Sequence, residues 1–137
     1  MNLSRGIELL LVKIVSTVPD VSQLKCFDNP RSDHDYVIEH VAEQFTSVCP
    51  MTGHPDFGRV ILQYVPDRLC VELKSLKFYY QSYRNEGIYY EAVTNRIADD
   101  LAAAMKPRWL AVDTHWQGRG GIRSRITVTH GEKPVGL

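Results

Sequence analysis

The sequence predicts an α+β domain, a four-stranded antiparallel sheet with two helices on one face in the order ββααββ. Three observations predict it. Residues 35–41 alternate and residues 59–65 are β-branched and apolar, as strands are; residues 72–105 change to a helical period; residues 109–116 and 122–129 return to alternation. Strands on either side of a helix pair suit a sheet covered on one face. At 137 residues and 15.6 kDa the chain has room for one core.

Taken in order, residues 1–30 are poorly patterned and read as an N-terminal arm or short helix, ended by Asn29-Pro30; residues 31–137 form the domain. Asp35 to Val41 sets Tyr36, Ile38 and His40 against Val37, Glu39 and Val41, a first strand. Arg59 to Val65 is the second, closed by Pro66-Asp67. From Glu72 to Arg84, Leu73, Leu76, Tyr80 and Tyr83 share one helical face. Asn85-Glu86-Gly87 links this helix to Ile88–Met105, where Val93, Ile97 and Leu101 recur until Lys106-Pro107 stops it. Trp109 to Trp116 puts Leu110, Val112, Thr114 and Trp116 on one face. After the turn Gly118-Arg119-Gly120-Gly121, Ile122 to Thr129 alternates again. Such a sheet has two open edges and one bare face, so edge pairing between copies into a barrel, a homo-oligomer, is expected.

Sixteen basic residues balance sixteen acidic ones. That argues against a broad footprint for nucleic acid and for a small-molecule ligand. Cys26, Cys49 and Cys70 form no C-x-x-C pair, and the five histidines show no ligand spacing on any one element, so neither a disulfide framework nor a metal site is expected. Free thiols suit a reducing cytoplasm. The apolar run Ile7–Val15 is too short and too charged to span a membrane, and no cleavage site follows it.

Chemistry concentrates in Cys49-Pro50-Met51-Thr52-Gly53-His54-Pro55-Asp56. Two prolines and a glycine make this a stiff loop that holds a thiol near a carboxylate. Two readings are open: a nucleophile with its proton donor, or a small buried apolar residue beside an Asx turn. A carboxylate beside a thiolate raises both proton affinities, so a coupled pair is expected. Glu91 can accept the two adjacent donors of a guanine-like ring or be a solvated helix charge. Glu72 invites the same two readings, its second being a favourable charge at the helix dipole. Lys74, Ser75 and Lys77 in the first turns of a helix suit phosphates, as does Arg119 beside Gly120; an ordinary polar face and a flexible turn are the plainer alternatives. No Gly-x-Gly-x-x-Gly motif is present, which excludes a Rossmann domain.

Two blocks carry a resemblance. One is Phe45-Thr46-Ser47-Val48-Cys49-Pro50 with Gly53, Asp56 and Phe57; the other is Glu72-Leu73-Lys74-Ser75-Leu76-Lys77-Phe78-Tyr79. On these the chain resembles the single-module NADPH-dependent 7-cyano-7-deazaguanine reductases, nitrile reductases of the queuosine pathway of tRNA modification, which have the tunnelling fold (T-fold). Ser82-Tyr83-Arg84-Asn85 with Gly87 and Glu91, and Arg119-Gly120-Gly121, extend the likeness over residues 30–125. The resemblance implies Cys49 as the nucleophile that forms a thioimide and Asp56 as the general acid. It implies Glu91, Tyr90, Val71, Glu72 and Leu73 for the deazapurine substrate, and Lys74, Ser75, Lys77, Arg119 and Gly120 for NADPH. It also implies sites at subunit interfaces. Tyr90 departs from the family, where histidine is frequent. The competing readings are an amidine-forming transferase of the same fold acting on tRNA, a zinc-dependent pterin-type enzyme, and an inert purine-binding module.

Overall fold

The computed structural model describes residues 18–137. The apolar run Ile7–Val15 and most of the expected arm lie outside them. The described part of that arm is built onto the domain. A 3-10 turn over Val21–Gln23, capped by Asp20, leads through buried Leu24 to β1 (Cys26–Asp28). This strand pairs with β4 (Leu69–Val71) in a small two-stranded sheet that the sequence pattern did not reveal. Three-residue strands are too short to show a period.

The main sheet follows expectation: β2 (Ile38–Val48), β3 (Pro55–Val65), β5 (Trp109–Arg119) and β6 (Ile122–Gly131) lie in that order, each antiparallel to the next. Helices α1 (Leu73–Gln81) and α2 (Tyr90–Met105) pack on one face. Between them Val60, Leu62 and Tyr64 of β3 and Leu110, Val112 and Trp116 of β5 meet Leu76, Tyr79 and Tyr83 of α1 and Val93, Ile97 and Leu101 of α2. Lys106 ends α2 in the left-handed region at φ 48°, just before Pro107.

Three boundaries differ from the sequence reading. The strand expected at 35–41 runs on to Val48, and β3 begins at Pro55, so the stiff loop shrinks to residues 49–54 and Asp56 is a strand residue. Helix α1 stops at Gln81, and Leu73 is 57% exposed; the buried face is Leu76, Tyr79, Tyr80 and Tyr83. Leu73 sits where the helix has just left β4 and has no sheet above it.

The alternation of β2 is broken by a bulge between Ala42 and Phe45, and that of β5 by another between Trp116 and Arg119. Each inserts one extra residue on the bulged strand. Gly58 pairs with Phe45 on one side and Trp116 on the other, the last regular pairs before the two bulges.

Candidate active site

The bulges decide which side chains meet. Ile38, His40 and Ala42 pair with Tyr64, Leu62 and Val60 and face the helices. Strict alternation would continue through Gln44 and Thr46 and turn Cys49 outward. The extra residue instead puts Phe45 and Ser47 on the helix side, and Cys49, two further on, follows them. The second bulge does the same for Arg119, which shares the face of Trp116 although three residues separate them. Asp56, on β3, already faces that way, opposite Ser47. Thus thiol, carboxylate and guanidinium converge at one end of the sheet.

Cys49 opens a tight turn in which Gly53 N–H donates to the Cys49 carbonyl and Cys49 N–H to that of His54, each at 2.9 Å. Gly53, at φ +73°, supplies the left-handed residue that closes it. The turn aims donors at the sulfur. The Thr52 hydroxyl contributes most, then the Thr52 and Met51 N–H groups and, after a small opposing effect of burial, Arg119; together they bring the Cys49 thiol from 9.0 down to about 7. This corrects the expectation of a raised thiol. The repulsion from Asp56 is outweighed because Arg119 stands with that carboxylate and the turn surrounds the sulfur with donors.

Asp56 has a side chain only 5% exposed, and Arg119 Nη2 lies 2.5 Å from its Oδ1. The Tyr90 hydroxyl donates to the same oxygen at 3.1 Å. Among the described residues Oδ2 has no partner and is the oxygen left to meet a ligand. Burial pushes the Tyr90 phenol up, and Asp56 adds to that, so Tyr90 is a fixed donor rather than a titrating group.

The Tyr90 ring stacks on Trp116 with centroids 4.2 Å apart and planes at 11°. A directed chain holds both: Trp116 Nε1 donates to Thr114 Oγ1 (2.9 Å), the two threonine hydroxyls of Thr114 and Thr94 meet at 2.6 Å, and Thr94 donates to the Tyr90 carbonyl (2.7 Å). Since Thr94 gives its proton to that carbonyl, Thr114 donates to Thr94.

The remaining expected residues fall in three places. Glu91 is exposed in the first turn of α2, and its carboxylate has no partner among the described residues. Glu72 caps α1, its two oxygens accepting from Lys74 N (2.8 Å) and Ser75 N (2.7 Å). Val71 is buried, with its N–H on the Tyr64 hydroxyl, and Leu73 is exposed. Ser75 is buried too, its hydroxyl donating to the Glu72 carbonyl and accepting from Lys25 N. That hydroxyl serves the helix start, not a phosphate. Lys74 and Lys77 are exposed, and Lys77 borders a small cleft with Gln81 and Arg84. Two free ammonium groups and a guanidinium on one edge fit the phosphates of a dinucleotide. Gly120, at φ +57°, and Gly121, at φ +80°, form the β5–β6 turn beside Arg119.

Sequence reasoning gave no part to Thr52, Thr94, Thr114 or Trp116. Thr52 stood within the reactive loop, but only the folded turn shows its hydroxyl on the sulfur. Nothing in the linear pattern announced that Arg119 reaches Asp56, because that depends on the bulge.

The model of the family described as QueF-like protein matches residues 55–135. The NADPH-dependent 7-cyano-7-deazaguanine reductase of Chlorobium phaeovibrioides is 58% identical over 107 residues, covering 78% of this chain and 92% of that protein. The chain belongs to this family. The reductase of the same name from Rhodopirellula baltica is 55% identical over 107 residues, covering 78% of this chain and 88% of its own. The family fold extends to a solved structure of an archaeosine synthase, QueF-Like, in the apo form. It superposes with a TM-score of 0.66 at 21% identity, over 72% of this chain and 96% of that one. This likeness bears on the fold alone.

Proposed function

We propose that this protein reduces the nitrile of 7-cyano-7-deazaguanine to the aminomethyl group with NADPH, a cytoplasmic step toward queuosine. The observation that carries the reading is a thiol lowered to about 7 next to a buried carboxylate with one oxygen free. The names of relatives that share more than half their aligned residues with this chain support the same substrate and cofactor.

Cys49 thiolate adds to the nitrile carbon, and the nitrogen takes a proton from Asp56 Oδ2, giving a thioimide. Bound NADPH supplies hydride, two equivalents per nitrile. After the first hydride and a second proton the C–S bond breaks, returning the thiolate and leaving an imine, which the second hydride and a proton convert to the amine. Arg119 and Tyr90 hold Asp56 in place through Oδ1 throughout. Glu91 is placed to accept the paired donors of the deazapurine, and Tyr90 stands beside it. Lys74 and Lys77 would hold the phosphates of NADPH. The open edges of β2 and β6 favour a homo-oligomer closed by edge pairing, which sedimentation would reveal.

The test is NADPH absorbance with 7-cyano-7-deazaguanine, alongside intact mass after mixing protein and nitrile alone. Two NADPH oxidised per nitrile, and an adduct of substrate mass that Cys49→Ala abolishes, are expected. An adduct without oxidation would overturn the reductase reading in favour of a non-redox relative.

A further inference from the structure

The helix-free face of the main sheet carries a row of like charges that the proposed chemistry does not use. Arg59 of β3 pairs directly with His115 of β5, and His115 with Arg125 of β6, so the three side chains stand abreast on one face. Like charges placed opposite one another destabilise a sheet. Arg125 is partly answered by Asp113, whose Oδ1 lies 3.2 Å from it. Arg59 has no ion pair among the described residues, and neither does Arg123, the next outward-facing position on β6. His115 Nε2 is buried and has no hydrogen-bond partner. An orphaned ring nitrogen inside a cationic row is a polar group waiting for a ligand atom.

The row lines an open cleft of about 1120 Å³ whose charged side chains are Arg59, Arg84, Arg123, Arg125 and His115 against Glu43 alone. Neither Cys49 nor Asp56 borders it. Its size suits a nucleotide-sized molecule, and forked guanidiniums match phosphate oxygens two at a time. We propose that this cleft is an anion site for the phosphate groups of a small molecule, held by Arg59, Arg123 and Arg125, with His115 Nε2–H as the buried donor.

Titrating the full chain with pyrophosphate by calorimetry, without nitrile or NADPH, tests the site independently of the reductase reading. Saturable binding is expected, with movement of the His115 ring signals in proton–carbon correlation spectra. Arg59→Ala and Arg123→Ala should each weaken it about tenfold or more, the loss of a charge-assisted contact, while Cys49→Ala binds as the parent does. Absent binding, or binding that both arginine variants retain, overturns the proposal. Competition then identifies the source: if pyrophosphate raises the KM for NADPH, the phosphates are the cofactor's own; if it binds without competing, they belong to a separate phosphorylated compound.

Discussion

Tyr90 and Trp116 lie face to face, 4.2 Å between ring centroids, and the phenol of the stacked tyrosine reaches the buried Asp56 carboxylate at 3.1 Å. The stack belongs to the core and the hydroxyl to the site, so one residue ties the packing of α2 against β5 to the position of the proton donor. This explains how tyrosine serves where the family often has histidine. The ring fills space on Trp116, and the hydroxyl supplies a donor at every pH near neutrality.

Tyr90→Phe should therefore keep the stack and lose the donor. Turnover is expected to fall with little change in KM, and stability by about 1 kcal/mol, the net worth of one hydrogen bond. Steady-state kinetics and urea unfolding check both. An unchanged kcat would show that Arg119 alone positions Asp56.

The Cys49 thiol at about 7 makes a direct pH prediction. Alkylation by iodoacetamide should rise through half its maximum near pH 7. Removing a donor to the thiolate raises the pKa, so Thr52→Val should move that midpoint upward. Arg119→Ala should move it by less, since Thr52 is the largest cause and Arg119 the smallest. The same sign applies to stability. A thiol depressed by folding stabilises the fold above its unfolded pKa, and that contribution disappears as pH falls through about 7. A midpoint unmoved in Thr52→Val would mean that its hydroxyl does not hold the sulfur.

Gly58 leaves no room for a side chain. A Cβ there would meet the His115 carbonyl at 2.5 Å and Trp116 Cε3 at 2.9 Å. Gly58→Ala should push Trp116 from the Tyr90 stack and cost about 1–3 kcal/mol as overpacking. Near-ultraviolet circular dichroism and urea unfolding would register it; an unchanged aromatic signal would count against the tight packing at both bulges.

Tyr79 anchors a buried network remote from the thiol. Its hydroxyl donates to Asp100 Oδ2 at 2.6 Å and lies 2.7 Å from that of Tyr83, which must then donate to it. Tyr79→Phe leaves both partners short and should cost about 1–3 kcal/mol. Activity at temperatures where the variant stays folded should be unaffected. Loss of activity in folded protein would give this network a role beyond stability.

Much of this was legible in the chain. The four long strands and two helices follow from periods of two and 3.6, because side chains on regular elements repeat with the backbone. The loop holding Cys49 announced itself through Pro50, Gly53 and Pro55. Less was legible wherever an element was short or irregular. Leu73 has the spacing of a core residue yet is exposed, since burial depends on what lies above a helix face. Ser75 has the composition of a phosphate ligand yet spends its hydroxyl on the helix start.

The sequence by itself determined the order ββααββ, the two signature blocks and the candidate nucleophile and acid, all of which are local in the chain. Tertiary structure decided that the thiol is acidic, that Arg119 stands with Asp56 and that Tyr90 bridges core and site. Each depends on two bulges that add one residue to a strand and reverse the facing of everything after it. Alternation is a local rule, but where it breaks is set by the strand across the sheet. Gly58 lets Phe45 and Trp116 close over the ladder from both sides, and Cys49 and Arg119 turn inward beyond it.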